Sequence, residues 1–279
     1  MLTHDRRFTE HAAELIAQAD ALLVTAGAGM GVDSGLPDFR GREGFWQAYP
    51  ALAAAQLDFT TVASPATFER DPYLAWGFYG HRLALYRRTQ PHVGFGLLRT
   101  WGRRMRHGLA VFTSNVDGQF QRAGFEPALL HECHGSLHWL QCLRGCGEPP
   151  MPADGLAPEV DTATCRWLGA LPSCPGCGGL LRPNLLMFGD WGWIGDRYDA
   201  QEQRLARWLG TVQRPVVVEI GAGMALPAVR HFGHQVVQQC GGQMVRINPR
   251  EAAVAPGTGV GLQGPALAVL TALEARLAG

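Results

Sequence analysis

Apolar and polar positions alternate with helical spacing from Thr9 to Asp20, and the pattern then changes to a short unbroken apolar run, Ala21 to Thr25. That run breaks at Gly27-Ala28-Gly29. A helix, a buried strand and a glycine turn are predicted in that order. Mainly apolar runs recur at Leu109–Thr113, Pro215–Ile220 and Gln243–Ile247, with a shorter one at Ala128–Leu130, and each leads into a polar or glycine-rich turn. Strands that are apolar on both faces belong to a parallel sheet covered by helices on both sides. The pattern therefore predicts an α/β fold. Ligands of open α/β sheets sit beyond the carboxyl ends of the strands, so the residues just after each run are the first candidates for chemistry.

Two regions interrupt the pattern. Gly41 to Pro91 is aromatic and helical in character, with Phe45, Trp46, Phe68, Trp76, Phe78 and Tyr79. Trp139 to Arg182 is rich in Cys, Pro and Gly and has little periodicity. Both read as insertions that form a smaller second lobe. A chain of 279 residues is large enough for one to two domains and needs no disulfide scaffold.

Lys plus Arg and Asp plus Glu both number 24, so the formal net charge is zero. That balance argues against a nucleic-acid coat or an acidic tail, and no specific nucleic-acid partner is expected. All 24 basic residues are Arg, so the chain has no lysine of its own to carry an acyl group. Met1 to Asp20 has charged residues throughout and no apolar core of a signal peptide. No apolar stretch approaches the ~20 residues needed to cross a bilayer. A soluble, cytoplasmic protein without a membrane partner is expected.

There are seven cysteines, an odd number. Cys142 and Cys146 form one close pair and Cys174 and Cys177 another, with 27 residues between the pairs. In a reducing compartment such spacing favours metal over disulfides. Four thiolates suit tetrahedral zinc with no open coordination position, hence a structural site. Cys165 is a spare thiol and an alternative ligand, and Cys133 and Cys240 read as core.

The turn at Gly27-Ala28-Gly29 lets backbone amides approach a phosphate, or is a simple turn. It continues as Ser34-Gly35-Leu36-Pro37-Asp38-Phe39-Arg40-Gly41, then Gly44-Phe45-Trp46. An Arg beside an aromatic on such a loop suits a phosphate and a flat ring, or is a capped loop with a surface charge.

These residues resemble the G-A-G…S-G-I-P-x-F-R pattern of the sirtuins, the NAD-dependent protein deacylases. Thr113-Ser114-Asn115-Val116-Asp117 resembles the family's T-Q-N-I-D, His134-Gly135-Ser136 its H-G-S, and Ile247-Asn248 its late I-N. Cys174-Pro175-Gly176-Cys177-Gly178-Gly179, Leu181-Arg182-Pro183 and Phe188-Gly189-Asp190 resemble C-P-x-C-G-G…L-R-P…F-G-E. The resemblance spans roughly residues 15 to 275. It implies one catalytic domain over 1–279. A Rossmann-like lobe would comprise about 1–41, 92–138 and 183–279. A smaller helical and zinc-binding lobe would comprise about 42–91 and 139–182.

The resemblance also implies an activity: an acyl oxygen attacks the ribose carbon of NAD as nicotinamide leaves, giving O-acyl-ADP-ribose. His134 would be the general base for a ribose hydroxyl, a role that suits an imidazole titrating near neutrality. Asn115 would hold the ribose and Asp117 the nicotinamide carboxamide. Gly27, Ala28, Gly29, Asp38, Phe39, Arg40, Trp46, Ser114, Gly221, Ala222, Gly223 and Asn248 would complete the NAD site. Cys142, Cys146, Cys174 and Cys177 would hold zinc. Phe188, Gly189 and Asp190 would meet an acyl-lysine protein or peptide.

Tyr79 and Arg82 lie three apart on a predicted helix, hence on one face. They resemble the Y-x-x-R pair of the branch that prefers succinyl and malonyl groups; the alternative is a surface contact. Departures from the family pattern are Gly31 for Ser, Ser114 for Gln, and Gln119-Phe120 for Leu-His. The segment Gly221 to Ala228 is one residue short. They leave an ADP-ribosyltransferase or NAD hydrolase, and a non-catalytic NAD sensor, as rival readings. Trp191 and Trp193 either line the peptide groove or pack ordinarily.

Overall fold

The computed structural model of the chain describes residues 6–38 and 41–278, excepting the side chains of 41–43. Helix α1 (Arg6–Ala17) leads into strand β1 (Ala21–Ala26). Five helices follow: α2 (Gly41–Ala48), α3 (Pro50–Ala54), α4 (Phe59–Val62), α5 (Pro65–Arg70) and the long α6 (Pro72–Arg88). The chain returns through α7 (Val93–Arg104), β2 (Leu109–Thr113), α8 (Gln119–Arg122) and β3 (Leu130–Glu132). The second insertion holds β4 (Gly135–Cys142), β5 (Met151–Pro152), β6 (Val160–Asp161), β7 (Arg166–Trp167) and β8 (Leu181–Leu185). Last come α9 (Asp196–Leu209), β9 (Pro215–Ile220), α10 (Ala228–Cys240), β10 (Gln243–Ile247), β11 (Gly259–Leu262) and α11 (Ala266–Leu277).

The main sheet has the order β11-β10-β9-β1-β2-β3, and every pairing is parallel. Leu22, Val24 and Ala26 pack on one side with Ala12, Ile16, Phe95, Leu98, Trp101 and Leu270, from α1, α7 and α11. Ala21 and Leu23 pack on the other with Leu205, Trp208, Val229 and Val236, from α9 and α10. Both faces are buried, which is why the strands read as unbroken apolar runs. The smaller lobe combines the helices α2–α6 with the antiparallel sheet β5-β4-β8, around a third core that includes Phe45, Phe68, Trp76, Phe78, Tyr79, Leu137 and Leu181. Among the described residues no helix is long and apolar enough to cross a membrane.

The structure differs from the pattern in three places. The first helix ends at Ala17 rather than reaching Asp20, whose carboxylate instead accepts the amides of Gln213 and Arg214, both at 3.0 Å. The short strand begins at Leu130, because Pro127 opens a 3-10 turn over Pro127–Leu129. Strand β11, Gly-Val-Gly-Leu, is too glycine-rich to register as an apolar run.

Candidate active site

From β1 the chain builds outward through β2 and β3, then returns to lay β9 on the other side of β1. The strand order therefore reverses between β1 and β9, and a crevice opens beyond their carboxyl ends. The two turns at that crevice are Gly27–Gly29 and Gly221–Gly223. They touch: the Gly27 amide donates to the Ile220 carbonyl at 3.0 Å and the Gly29 amide to Gly221 at 3.1 Å. A Cβ on Gly29 would lie 2.6 Å from Gly221 Cα, and Gly221 itself has φ +63°. No side chain fits between these backbones.

The end of β2 joins the same crevice. Thr113 Oγ1 donates to the Ala26 carbonyl at 2.9 Å and accepts the Asn115 amide at 3.0 Å. Asn115 Nδ2 donates to the Gly27 carbonyl at 3.0 Å, and the Ser114 amide to Ala26 at 3.1 Å. Asn248, after β10, closes the other flank: its Nδ2 donates to the Ala222 carbonyl at 3.0 Å, while its oxygen accepts the amides of Arg250 and Glu251 at 3.0 Å. Asn115 and Asn248 thus fix the turns on which a dinucleotide would lie. Ala28 sits in the 3-10 turn of the first loop.

His134 occupies the joint between the two lobes, after β3 of the main sheet and before β4 of the small one. The Cys133 amide donates to Thr113 at 2.8 Å, and the His134 carbonyl accepts the Leu186 amide at 2.9 Å. Burial pushes the His134 imidazole below its ordinary value, against an opposing hydrogen bond with the Ser114 backbone. A neutral ring is the form that accepts a proton. Asp117 is buried, and desolvation pushes its carboxyl up to about 6, although it accepts the Gln119 amide at 2.9 Å. A carboxyl so displaced is a candidate for chemistry.

The loop after β8 faces the same joint. Phe188 is 38% exposed, its amide donates to the Ala63 carbonyl at 2.9 Å, and its ring meets Phe59 edge-on. Gly189 turns the chain at φ +66°. Both Asp190 oxygens are taken by Arg182, at 2.7 and 2.8 Å in a fully buried pair. Asp190 therefore holds the loop's shape. Trp193 packs against Tyr198, whereas Trp191 is 99% exposed.

The sequence pattern of the Sir2 family matches residues 27–206. The chain belongs to the Sir2 family. Among its relatives are an NAD-dependent protein deacylase 2 of Pyrobaculum aerophilum, 32% identical over 94% of this chain and 92% of that one. An NAD-dependent protein deacylase of Thermococcus kodakarensis is 29% identical over 96% and 95%. The crystal structure of a Sir2 homologue in complex with NAD superposes with a TM-score of 0.73 at 26% identity, over 99% of this chain and 94% of that one.

In this sirtuin the cysteine quartet is assembled as the spacing predicts. The sulfur atoms of Cys142, Cys146, Cys174 and Cys177 all lie within 4.8 Å of one another, with Cys142–Cys177 and Cys146–Cys174 both at 3.6 Å. Tetrahedral zinc with bonds of about 2.3 Å sets sulfur–sulfur edges near 3.8 Å, so the residues fit the ion. Cys165 is not part of the quartet; it is buried in the core of the small lobe.

Other expected residues stand apart. Phe39 and Arg40 lie outside the described residues, and Asp38 ends the described part of the first loop. The Trp46 indole donates to the Leu57 carbonyl at 2.8 Å. Tyr79 and Arg82 are buried in the small lobe, not on its surface. Arg82 Nε and Nη2 donate to the Tyr86 hydroxyl at 2.9 and 2.7 Å, four residues on rather than three back.

Pattern reading missed a buried charge network behind the second turn. Glu219 and Arg246 are opposed across β9 and β10 and bonded at 2.6 and 3.2 Å. Arg230 donates to the Ala222 carbonyl at 3.2 and 2.9 Å and to Glu251 at 3.0 Å. The signal was a single charge inside each apolar run, since a buried charge needs a partner.

Proposed function

We propose that this chain is an NAD-dependent protein lysine deacylase that releases nicotinamide and an O-acyl-ADP-ribose, acting in the cytoplasm on acyl-lysine proteins or peptides. The observation that carries this reading is the continuity of the crevice. Hydrogen bonds and backbone contacts run from Asn248 through Ala222, Gly221, Gly29, Gly27 and Asn115 to Ser114 and His134.

NAD, when bound, supplies an ADP-ribosyl electrophile. The turn amides at Gly27–Gly29 and Gly221–Gly223 suit its phosphates, and by the family resemblance Asp38, Phe39, Arg40 and Trp46 would also contact it. Asn115 would hold the ribose beside Ser114, and Asp117 would accept from the nicotinamide carboxamide. The His134 ring, which burial favours in its neutral form, would take a proton from a ribose hydroxyl. The exposed Phe188 and Trp191 lie on the loop whose Leu186 amide bonds the His134 carbonyl, and would give the peptide an apolar ledge.

We further read the acyl pocket as one for acidic acyl groups such as succinyl or malonyl. In support, Arg82 is a buried cation among the rings of Phe78, Tyr79 and Tyr86, at 5.2, 5.9 and 5.4 Å from their centroids. A guanidinium there pairs with a carboxylate and gains nothing from a neutral acetyl group.

One assay tests both levels: nicotinamide release from NAD, without peptide and with acetyl- or succinyl-lysine peptide. Peptide-dependent release supports the deacylase. Peptide-independent release favours an NAD hydrolase or ADP-ribosyltransferase, and no release favours a sensor. Arg82→Met should lower succinyl-peptide turnover about ten- to a hundred-fold, since bonds to charged groups are worth roughly 1.5–3 kcal/mol. An equal loss with both peptides would make Arg82 structural.

A further inference from the structure

We propose that Tyr86 is a positioning residue that determines acyl specificity, by holding the Arg82 guanidinium in the orientation that receives an acyl carboxylate. The proposal rests on the acidic-acyl reading above. Arg82 and Tyr86 lie four apart on α6 and so share a face. The Nε–H and one Nη2–H of a guanidinium point the same way along one edge. A single oxygen that accepts both, as the Tyr86 hydroxyl does at 2.9 and 2.7 Å, fixes the plane of the group and its rotation.

The choice of a phenol matters. A carboxylate in that place would orient Arg82 equally well but would cancel its charge. A phenol orients it and contributes no charge. Burial keeps Tyr86 protonated by pushing its pKa above the ordinary range, although Arg82 pulls the other way. Tyr79 does a different job: its ring stacks on Phe68 at 5.6 Å and forms one wall of the cage around the guanidinium.

Tyr86 is itself tied to the nicotinamide side of the crevice. Gln119 Nε2 donates to the carbonyls of Thr89 at 3.2 Å and Tyr86 at 3.5 Å, while the Gln119 amide donates to Asp117. The end of α6 that orients Arg82 and the turn that carries Asp117 therefore share one support. That support is the Gln119 that stands where the family pattern has a leucine.

The test compares wild type, Tyr86→Phe and Arg82→Met on succinyl and acetyl peptides of one sequence, with kcat and KM measured separately and a melting curve for each protein. Tyr86→Phe removes one oxygen and keeps the ring. We expect the succinyl-to-acetyl ratio of kcat/KM to fall about tenfold, because Arg82 loses the one oxygen that accepts both its Nε and Nη2 bonds. The change should fall mainly on KM for the succinyl peptide. A Tyr86→Phe enzyme that keeps the wild-type ratio while Arg82→Met loses it overturns the proposal and leaves the acyl reading standing. So does a variant whose melting point and two activities fall in proportion, which would make Tyr86 structural. A wild type with no preference for succinyl, or an Arg82→Met that lowers both peptides equally, instead removes the acyl reading and the role of Tyr86 with it.

Discussion

Gly29 and Gly221 meet backbone against backbone: the Gly29 amide donates to the Gly221 carbonyl at 3.1 Å, and a Cβ on Gly221 would lie 2.4 Å from Gly29 Cα. The two residues are 192 positions apart in the chain, 221 less 29. Gly29 and Gly221 are thus required by each other, whatever ligand the turns hold.

That contact can be separated from a contact with the cofactor. Gly221→Ala meets both a backbone clash and a left-handed φ, which together should cost about 2–4 kcal/mol. Melting should fall by roughly 4–8 °C, with a raised KM for NAD. Gly223 has no heavy atom within 4 Å of a Cβ added there, so Gly223→Ala should melt like wild type. Weaker NAD binding in Gly223→Ala alone would then report a phosphate contact. A Gly221→Ala protein as stable as wild type would contradict the packing argument.

The quartet of cysteines should hold about one zinc per chain by elemental analysis. Structural zinc carries folding free energy, so chelation or Cys174→Ala should unfold the small lobe and abolish activity together. Cys165→Ser should leave the stoichiometry unchanged, because that thiol is outside the quartet. A metal-free protein with full activity and a normal melt would refute the site.

His134 should matter to chemistry and not to the fold. His134→Ala should melt like wild type and lose deacylation. Its imidazole lies below the ordinary value because of burial, and the base-competent form is the one without the proton. Activity should therefore persist below pH ~6.5, where an unperturbed histidine would already be half protonated. A kcat/KM profile whose acid limb sits above pH 7 would show that burial does not govern this group.

The strands at Leu109–Thr113, Pro215–Ile220 and Gln243–Ile247 stand where the apolar runs put them, because burial on both faces leaves an unambiguous pattern. What stayed hidden is pairing over distance. Nothing local says that Glu219 faces Arg246 across two strands, or that Gly29 requires Gly221. The choice of Tyr86 over Tyr79 as the partner of Arg82 was equally hidden: both spacings share a helix face, and only side-chain packing decides between them. The candidate site residues were legible because they lie just after strands. The side chains that brace them were not: Arg230 bonds a carbonyl, Tyr86 bonds Arg82, and Gln119, visible only as a departure from the family pattern, bonds carbonyls of Tyr86 and Thr89.

Asp117 offers a test in which stability and function move in opposite directions. Its carboxyl rises from 3.8 to about 6, chiefly by desolvation. A carboxyl raised on folding destabilises the native state once it is ionised, and the cost grows as pH climbs from the unfolded value to the folded one. Above pH ~7 it is fully present, on the order of 2–3 kcal/mol. Below about pH 3 both states are protonated and it vanishes. Asp117→Asn keeps an oxygen for the Gln119 amide and removes the charge. The variant should therefore melt several degrees above wild type at pH 8, with a smaller gain at pH 5, while nicotinamide release drops at least a hundred-fold. A variant less stable than wild type at pH 8 would mean that the carboxylate is well solvated by its neighbours, and the case for Asp117 as a strained functional charge would fall.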